Sequence, residues 1–401
     1  MSNGWTGGQY SLFRIAFGVY LCVHFAQLTP WAAELFSSGG ALPRAADSPI
    51  AYLFPNILAL YDTPAFVTTL VGSAAGLSLL FAIGLGDRIA ALALWYVWAC
   101  LHGRMPLISN PSLPYVGWML LAHACLPPAP YGSWAARRQP NPGGWRMPPS
   151  LFCVAWLLMA LGYSYSGWTK LVSPSWLDGT AVARVLDSPL ARPGVLRELL
   201  LALPSWLLRL LTWGSLALEL SFTPLALVRR ARPWIWAALL AMHLGLIILI
   251  AFADLSLGMV FLHLFTFDPA WLRPTKAPTE MLFYDPRSQL GRWVVRFVMA
   301  EDQAGDSFQC ASLDSATFRD TVPHARKVNL RGPVVVRTGA GVLLCRSAAG
   351  RHLLWRLGGF WRLVDGLLGL IPATLGDRLW DAVGRWMAGR EGIPQKPLVD
   401  E

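Results

Sequence analysis

The residues best placed to do chemistry stand in GYSYSGWTKLVSPSW, residues 162–176, where a long apolar run closes on a lysine. Tyr163, Ser166, Gly167 and Lys170 follow one another at offsets of three, one and three, so on an α-helix they share a face. An amine stripped of water gives up its proton readily and becomes a general base. Tyr163 and Ser166 would then orient Lys170 or a bound ligand. The same lysine at the mouth of a membrane helix can also snorkel, with its stem in hydrocarbon and its ammonium among headgroups. Spacing leaves both roles open.

Ionisable side chains inside apolar runs are costly and mark function by default. Besides Lys170 these are Arg14, His24, His102, Arg104, His123, Glu219, His243, Asp254 and His263. Arg14 is expected to pair with Glu219 or with a backbone carbonyl. Glu219, in LALELSFTP, has Ser215 and Thr223 a turn to either side, a polar stripe that must face the bundle interior. His243 is either a hydrogen-bonded core histidine or a second catalytic group. An unbroken helix would set it on one face with Asp254, eleven residues on, but the segment is expected to break near Asp254. His102 and Arg104, in LHGRMPLISNP, fall at a helix end where they can snorkel. No two histidines have the i, i+4 spacing of a metal site, and the six cysteines contain no Cys-x-x-Cys pair. Neither a metal nor a disulfide framework is expected.

The elements that must carry these groups follow from composition. Of 401 residues 55% are hydrophobic and 14% charged, against roughly 25% charged in a soluble domain. Mean hydropathy is +0.44. The class is an α-helical polytopic membrane bundle whose first partner is the lipid bilayer. Apolar segments fall at about 9–29, 63–84, 89–108, 112–127, 150–169, 204–228, 233–253 and 255–268, giving about eight transmembrane helices. The fourth and eighth are short against the ~20 residues of a perpendicular span. Arg88, then Arg137, Arg138 and Arg146, then Arg229, Arg230 and Arg232 lie in alternate loops, which the positive-inside rule puts in the cytoplasm with both termini. The net charge of +10 is accounted for by such loops and by anionic headgroups, and no nucleic-acid partner is expected. MSNGWTGGQYS lacks the basic flank of a cleavable signal, so the first segment is expected to stay as a helix.

The loop 170–203 contains LARPGVLRELLLALPSW, which reads as an amphipathic surface helix, either a connector or a substrate lid. PAWLRPTKAPTE ends the bundle, so the bundle domain is placed at 1–270 and a linker at 271–279. Residues 280–401 read as a small α/β domain. TEMLFYD, FQCASL and PVVVRTGAGVLLCRS have strand character, and GRWVVRFVMAEDQ has helical spacing. LLWRLGGFWRLVDGLLGLIP is further helix, and its tryptophans and arginines suit a membrane surface.

The stretch SGWTKLVSPSWLDGTAV resembles the Gly-x-x-Lys-Leu and Trp-x-x-Gly signature of the vitamin K-dependent γ-carboxylase superfamily, whose bacterial members are the HTTM proteins. Arg14, Glu219 and His243 fit the same layout over roughly residues 8–270. The resemblance implies a bacterial inner-membrane protein in which Lys170 is the general base toward a reduced quinone of the vitamin K type. Oxygenation of that quinone, driving carboxylation of glutamate in a protein or small secreted peptide, would follow. Asn110 is kept from an Asn-His stretch, but SNPSLPYVG has no histidine beside it. Residues 280–401 resemble the DCC-type thiol-disulfide oxidoreductases, which are thioredoxin-like. At their Tyr-Asp-Gly-x-Cys-x-x-Cys motif this chain reads FYDPRSQLG: Tyr284 and Asp285 fit, Pro286 replaces glycine, and Ser288 and Gly291 stand for the two cysteines. Thiol-disulfide exchange at that site is thereby excluded. Two functions stay open, a quinone-linked membrane enzyme and a non-catalytic scaffold or peptide maturation and export partner with a docking domain.

Overall fold

Prolines and glycines cut the apolar sequence into helices. In the computed structural model, which describes residues 3–50, 53–139, 142–273, 278–322 and 332–389, all eight apolar segments are helical. The first part of the chain forms α1 (Gly7–Leu28), α2 (Ala32–Phe36), α3 (Pro64–Ile83), α4 (Asp87–Arg104) and α5 (Leu113–Cys125). It continues through α6 (Pro149–Lys170), the short α7 (Pro174–Leu177), α8 (Ala181–Asp187) and α9 (Val195–Leu201), then α10 (Ser205–Leu227), α11 (Arg232–Leu249) and α12 (Asp254–Thr266). Proline sits in the first turn of α3, α5, α6 and α11, where its missing N–H costs nothing.

Among the described residues five helical stretches are long and apolar enough to cross a membrane: Gly7–Phe36, Pro64–Ile83, Pro149–Lys170, Ser205–Leu227 and Arg232–Leu249. Leu113–Cys125 and Asp254–Thr266 are shorter apolar helices, and α4 carries Asp87, Arg88 and Arg104. These helices are apolar on both sides. On α1, Phe13, Phe17, Leu21 and Phe25 are buried, while Ile15, Val19 and Val23 point outward. Leu157 and Leu161 on α6 and Leu244 and Ile248 on α11 are likewise exposed. A helix apolar all round and yet uncovered is matched to hydrocarbon. The chain is a mostly helical membrane protein with a small C-terminal mixed sheet.

The chain divides into two compact units, one of residues 13–126 and 148–267, the other of 2–12, 127–147 and 268–401. The second takes in two stretches, 2–12 and 127–147, that the sequence reading left in the membrane domain. Of the linker expected over 271–279, residues 274–277 lie outside the described residues, as does the C-terminal stretch from 390 on.

Two expectations for the first unit are overturned. LARPGVLRELLLALPSW is not one surface helix, because Pro193–Gly194 delays the start of α9 and Pro204 separates it from α10. Its leading residues lie instead along the end of α11, with Arg192 N–H donating to Leu249 and Ala251 N–H to Leu190. Arg104 does not snorkel. Its side chain is fully buried and donates to the carbonyls of Ser37 and Leu42 and to Asp62, 3.0 Å away. Loop carbonyls left unpaired would be more costly than one buried, paired guanidinium.

The second unit is built on β1 (Glu280–Tyr284), α13 (Gln289–Glu301), β2 (Phe308–Ser312), α14 (Ala316–Thr321), β3 (Val334–Arg337) and β4 (Leu343–Cys345). The helices α15 (Arg346–Leu357), α16 (Phe360–Leu368) and α17 (Ala373–Ala388) follow. The sheet order is β2-β1-β3-β4, with β1 parallel to β2 and antiparallel to β3, and β3 antiparallel to β4. Leu282, Val294, Val298, Val336 and Leu353 form its main core, and Phe283 with Phe318 and Val335 the opposite face. Residues 2–12 belong here because Glu301 holds them. Its buried carboxylate accepts from Thr6 hydroxyl, from Gly8 N–H at 2.7 Å and from the Trp361 indole.

Candidate functional site

Lys170 ends α6, and α10 brings Glu219 to it. The two helices meet closely at Gly167, where an added Cβ would lie 2.8 Å from a Leu220 methyl. A small residue there lets backbones approach as membrane helices require. The Lys170 ammonium donates to both Glu219 oxygens and, at 3.2 Å, to Ser166 Oγ. Those three bonds use its three donors and leave no lone pair. Trp176 on α7 covers the ammonium with its ring, the centroid 4.7 Å from Nζ. The lysine side chain keeps 21% exposure and Glu219 only 6%. Lys170 is therefore a partnered cation rather than a free snorkelling one.

One face of α6 further in, Tyr163 joins His243 of α11 and His263 of α12. Its hydroxyl lies 2.9 Å from His243 Nε2 and 3.3 Å from His263 Nε2, and His243 Nδ1 lies 3.2 Å from Ser256 Oγ. His263 Nδ1 faces the Met259 carbonyl at 2.8 Å. A carbonyl can only accept, so that nitrogen carries the proton and Nε2 the lone pair. Tyr163 then donates to His263, accepts from His243 Nε2, and leaves His243 Nδ1 to accept from Ser256. With both rings neutral this assignment satisfies every group. The result is a hydrogen-bond chain with one direction, from Ser256 through His243 and Tyr163 to His263. Lys170 acts electrostatically on His243, and Glu219 on Tyr163, so the ion pair and the chain are neighbours.

Three sequence candidates stand apart. Arg14 does not take Glu219, which Lys170 holds, but does meet a backbone carbonyl: its Nε donates to Ala82 at 3.4 Å. Its guanidinium also lies 3.7 Å from Asp87 of α4, and Asp87 meets His123 at 3.5 Å. Asn110 caps the start of α5, its Oδ1 accepting from Ser112 N–H at 2.9 Å. Asp254 pairs with His24 at 2.9 Å, not with His243, because α11 stops at Leu249. Sequence reasoning named His263 only as one of the intramembrane ionisable groups, and it did not mark Ser256 or Trp176. Among the described residues no three His, Cys, Asp or Glu side chains gather as a metal site would need.

In the second unit Asp285, Ser288 and Gly291 do come together. Asp285 Oδ1 accepts from Arg287 N–H at 2.9 Å, and Ser288 Oγ accepts from Gly291 N–H at 3.3 Å, capping α13. At Gly291 an added Cβ would lie 2.6 Å from the Asp285 carbonyl oxygen. The position has closed around glycine. An open cleft of about 630 Å³ lies there, lined by Asp285, Arg287, Ser288, Pro333, Trp380 and Arg385. Cys310 lies outside it, and burial, with some help from Asp302, pushes its thiol up to about 12.

No protein-family model, curated protein or solved structure matches the chain.

Proposed function

We propose that the chain is a γ-carboxylase-like membrane protein of the HTTM kind, in which Lys170 and Glu219 form a proton-accepting couple toward a reduced quinone of the vitamin K type. The observation that carries this reading is the ion pair itself, two ionisable groups kept in an apolar bundle with the lysine still accessible at its mouth. An acidic hydroxyl on an apolar ring suits such a place, since Nζ is reachable from lipid and roofed by an indole. Such a quinone, when bound, would supply the electrons for oxygenation or carboxylation. Lys170 can take a proton at Nζ only as it passes one to Glu219. The couple then stands as ammonium and carboxylic acid, and an anion at the site replaces the Glu219 charge. The number of charges in the apolar surroundings stays constant, which keeps the step affordable in low dielectric. Tyr163, His243 and His263 offer a path by which that proton leaves. The eight-span arrangement in a bacterial inner membrane, with both termini in the cytoplasm, belongs to the same proposal.

The test is purified protein in nanodiscs, with reduced vitamin K as ligand and oxygen consumption as readout. Lys170→Arg keeps a cation for Glu219 but cannot act as a base. Saturable binding to both forms with oxygen uptake by the native chain alone is the expected outcome. A native chain that neither binds nor consumes oxygen sinks the reading.

A second reading, a scaffold or maturation partner of a secreted peptide, draws on the other unit. Support comes from its small mixed sheet, of order β2-β1-β3-β4, and from Ser288, which caps α13 where the resemblance would put the first thiol. A domain so altered is suited to docking rather than to redox exchange.

A further inference from the structure

The last two described helices carry a second apolar face that the unit leaves uncovered. α17 carries an apolar stripe at offsets of four, four and three, Leu375, Leu379, Val383 and Trp386, and these side chains are 48%, 49%, 47% and 58% exposed. α16 does the same with Leu363 and Leu367, and the turn that joins the two helices exposes 82% of Leu370. No residue of either helix is buried. Inward, these helices pack Trp361, Trp380 and Met387 on the unit's core and set their acids beside them: Asp377 accepts from Ser347, Asp381 pairs with Arg346 at 3.0 Å, and Asp365 pairs with Arg351 at 2.8 Å. All the acidic groups of α16 and α17 are thus spent on the unit's own arginines and serine. Arg378 and Arg385 are exposed, stand on one flank of the stripe at helical spacing, and enter no ion pair among the described residues.

We propose that this face lies in the interfacial region of a membrane rich in anionic phospholipid, with the leucines and Trp386 among acyl chains and Arg378 and Arg385 at phosphates. The charge pattern names the occupant. An apolar stripe with uncompensated arginines along its edge, an aromatic at the end and acids only on the far side is the signature of an interfacial helix. A chain that already has apolar helices of membrane-crossing length has that surface within reach. The inference rests on the membrane character of the chain and not on quinone chemistry, so either can fail without the other.

The test uses the full chain with its six cysteines replaced by alanine and one cysteine introduced by Leu379→Cys, carrying an environment-sensitive fluorophore. It is reconstituted in phosphatidylcholine–phosphatidylglycerol vesicles with acyl-brominated lipid as quencher. A matched chain labelled through Asp314→Cys, at a side chain 67% exposed, is the aqueous control. The expected result is a blue-shifted emission quenched by brominated lipid at 379 and not at 314, with quenching lost when Arg378→Glu and Arg385→Glu are added. A 379 label as unquenched as the 314 label overturns the proposal. So does a label shielded from aqueous iodide yet untouched by brominated lipid, which would assign the face to a protein. Because the cysteine-free chain can misfold, hydrogen exchange of residues 373–388 in the native chain gives a second readout. Slower exchange in nanodiscs with anionic lipid than in zwitterionic ones supports the proposal, and equal exchange refutes it.

Discussion

Removing either end of the Lys170–Glu219 pair should cost stability, and unequally. Lys170→Met leaves a carboxylate with 6% of its side chain exposed and no cation. A stranded buried charge costs about 3–5 kcal/mol. Glu219→Gln leaves an ammonium that is 21% exposed. The amide oxygen still accepts one N–H, Ser166 Oγ another, and the Trp176 ring contributes roughly 0.5–2 kcal/mol. The remaining N–H can turn to water by extension of the stem, so the loss should be about 1–2 kcal/mol. Lys170→Met combined with Glu219→Leu strands nothing and should fall within about 2 kcal/mol of the native chain. Reversible unfolding in a detergent titration, followed by circular dichroism, orders the three. The reasoning is refuted if Glu219→Gln costs as much as Lys170→Met, or if the double variant is no better than Lys170→Met alone.

Tyr163→Phe removes the centre of the hydrogen-bond chain and orphans one histidine nitrogen on each side, at about 1–3 kcal/mol each. The same unfolding assay should show a larger loss than for an exposed control, Tyr165→Phe, at 72% exposure. Gly291→Ala forces a methyl against the Asp285 carbonyl and should destabilise the second unit by about 1–3 kcal/mol, read from the release of its protected β1 and β3 amides in hydrogen exchange. Cys310, with its thiol near 12, should resist iodoacetamide at pH 8, where roughly one molecule in ten thousand is thiolate, and react once urea exposes it. Rapid labelling of Cys310 in the folded protein contradicts the burial.

The helices and strands were legible because each rests on local pattern. Apolar runs opened by prolines gave α3, α6 and α11, the apolar run TEMLFYD gave β1, and the valine cluster gave β3. The face shared by Tyr163, Ser166 and Lys170 was legible for the same reason, since one helix fixes it. Partners were not. Glu219 takes Lys170 rather than Arg14 because α10 crosses α6 at Gly167, and nothing in the spacing of the two helices states that crossing. His263 was visible as an intramembrane histidine, but its place beside Tyr163 depends on three helices at once. Asp87 was not marked in the sequence at all, and it is the partner of Arg14 because α4 starts there. The outward leucines of α17 were not singled out in the sequence, and which face turns inward depends on Arg346 and Ser347 supplying partners for its aspartates.

The clasp of Glu301 on Thr6 and Gly8 has a bearing on the order of events during synthesis. The bonded groups are 295 and 293 residues apart. At about 5–20 residues per second, the early segment waits roughly 15 to 60 s for the carboxylate that secures it. Through that interval Trp5 lacks the Phe360 ring that packs against it at 5.2 Å. The α/β unit is therefore a late assembly made from early and late pieces of the nascent chain, and its completion waits for α17, which ends at Ala388.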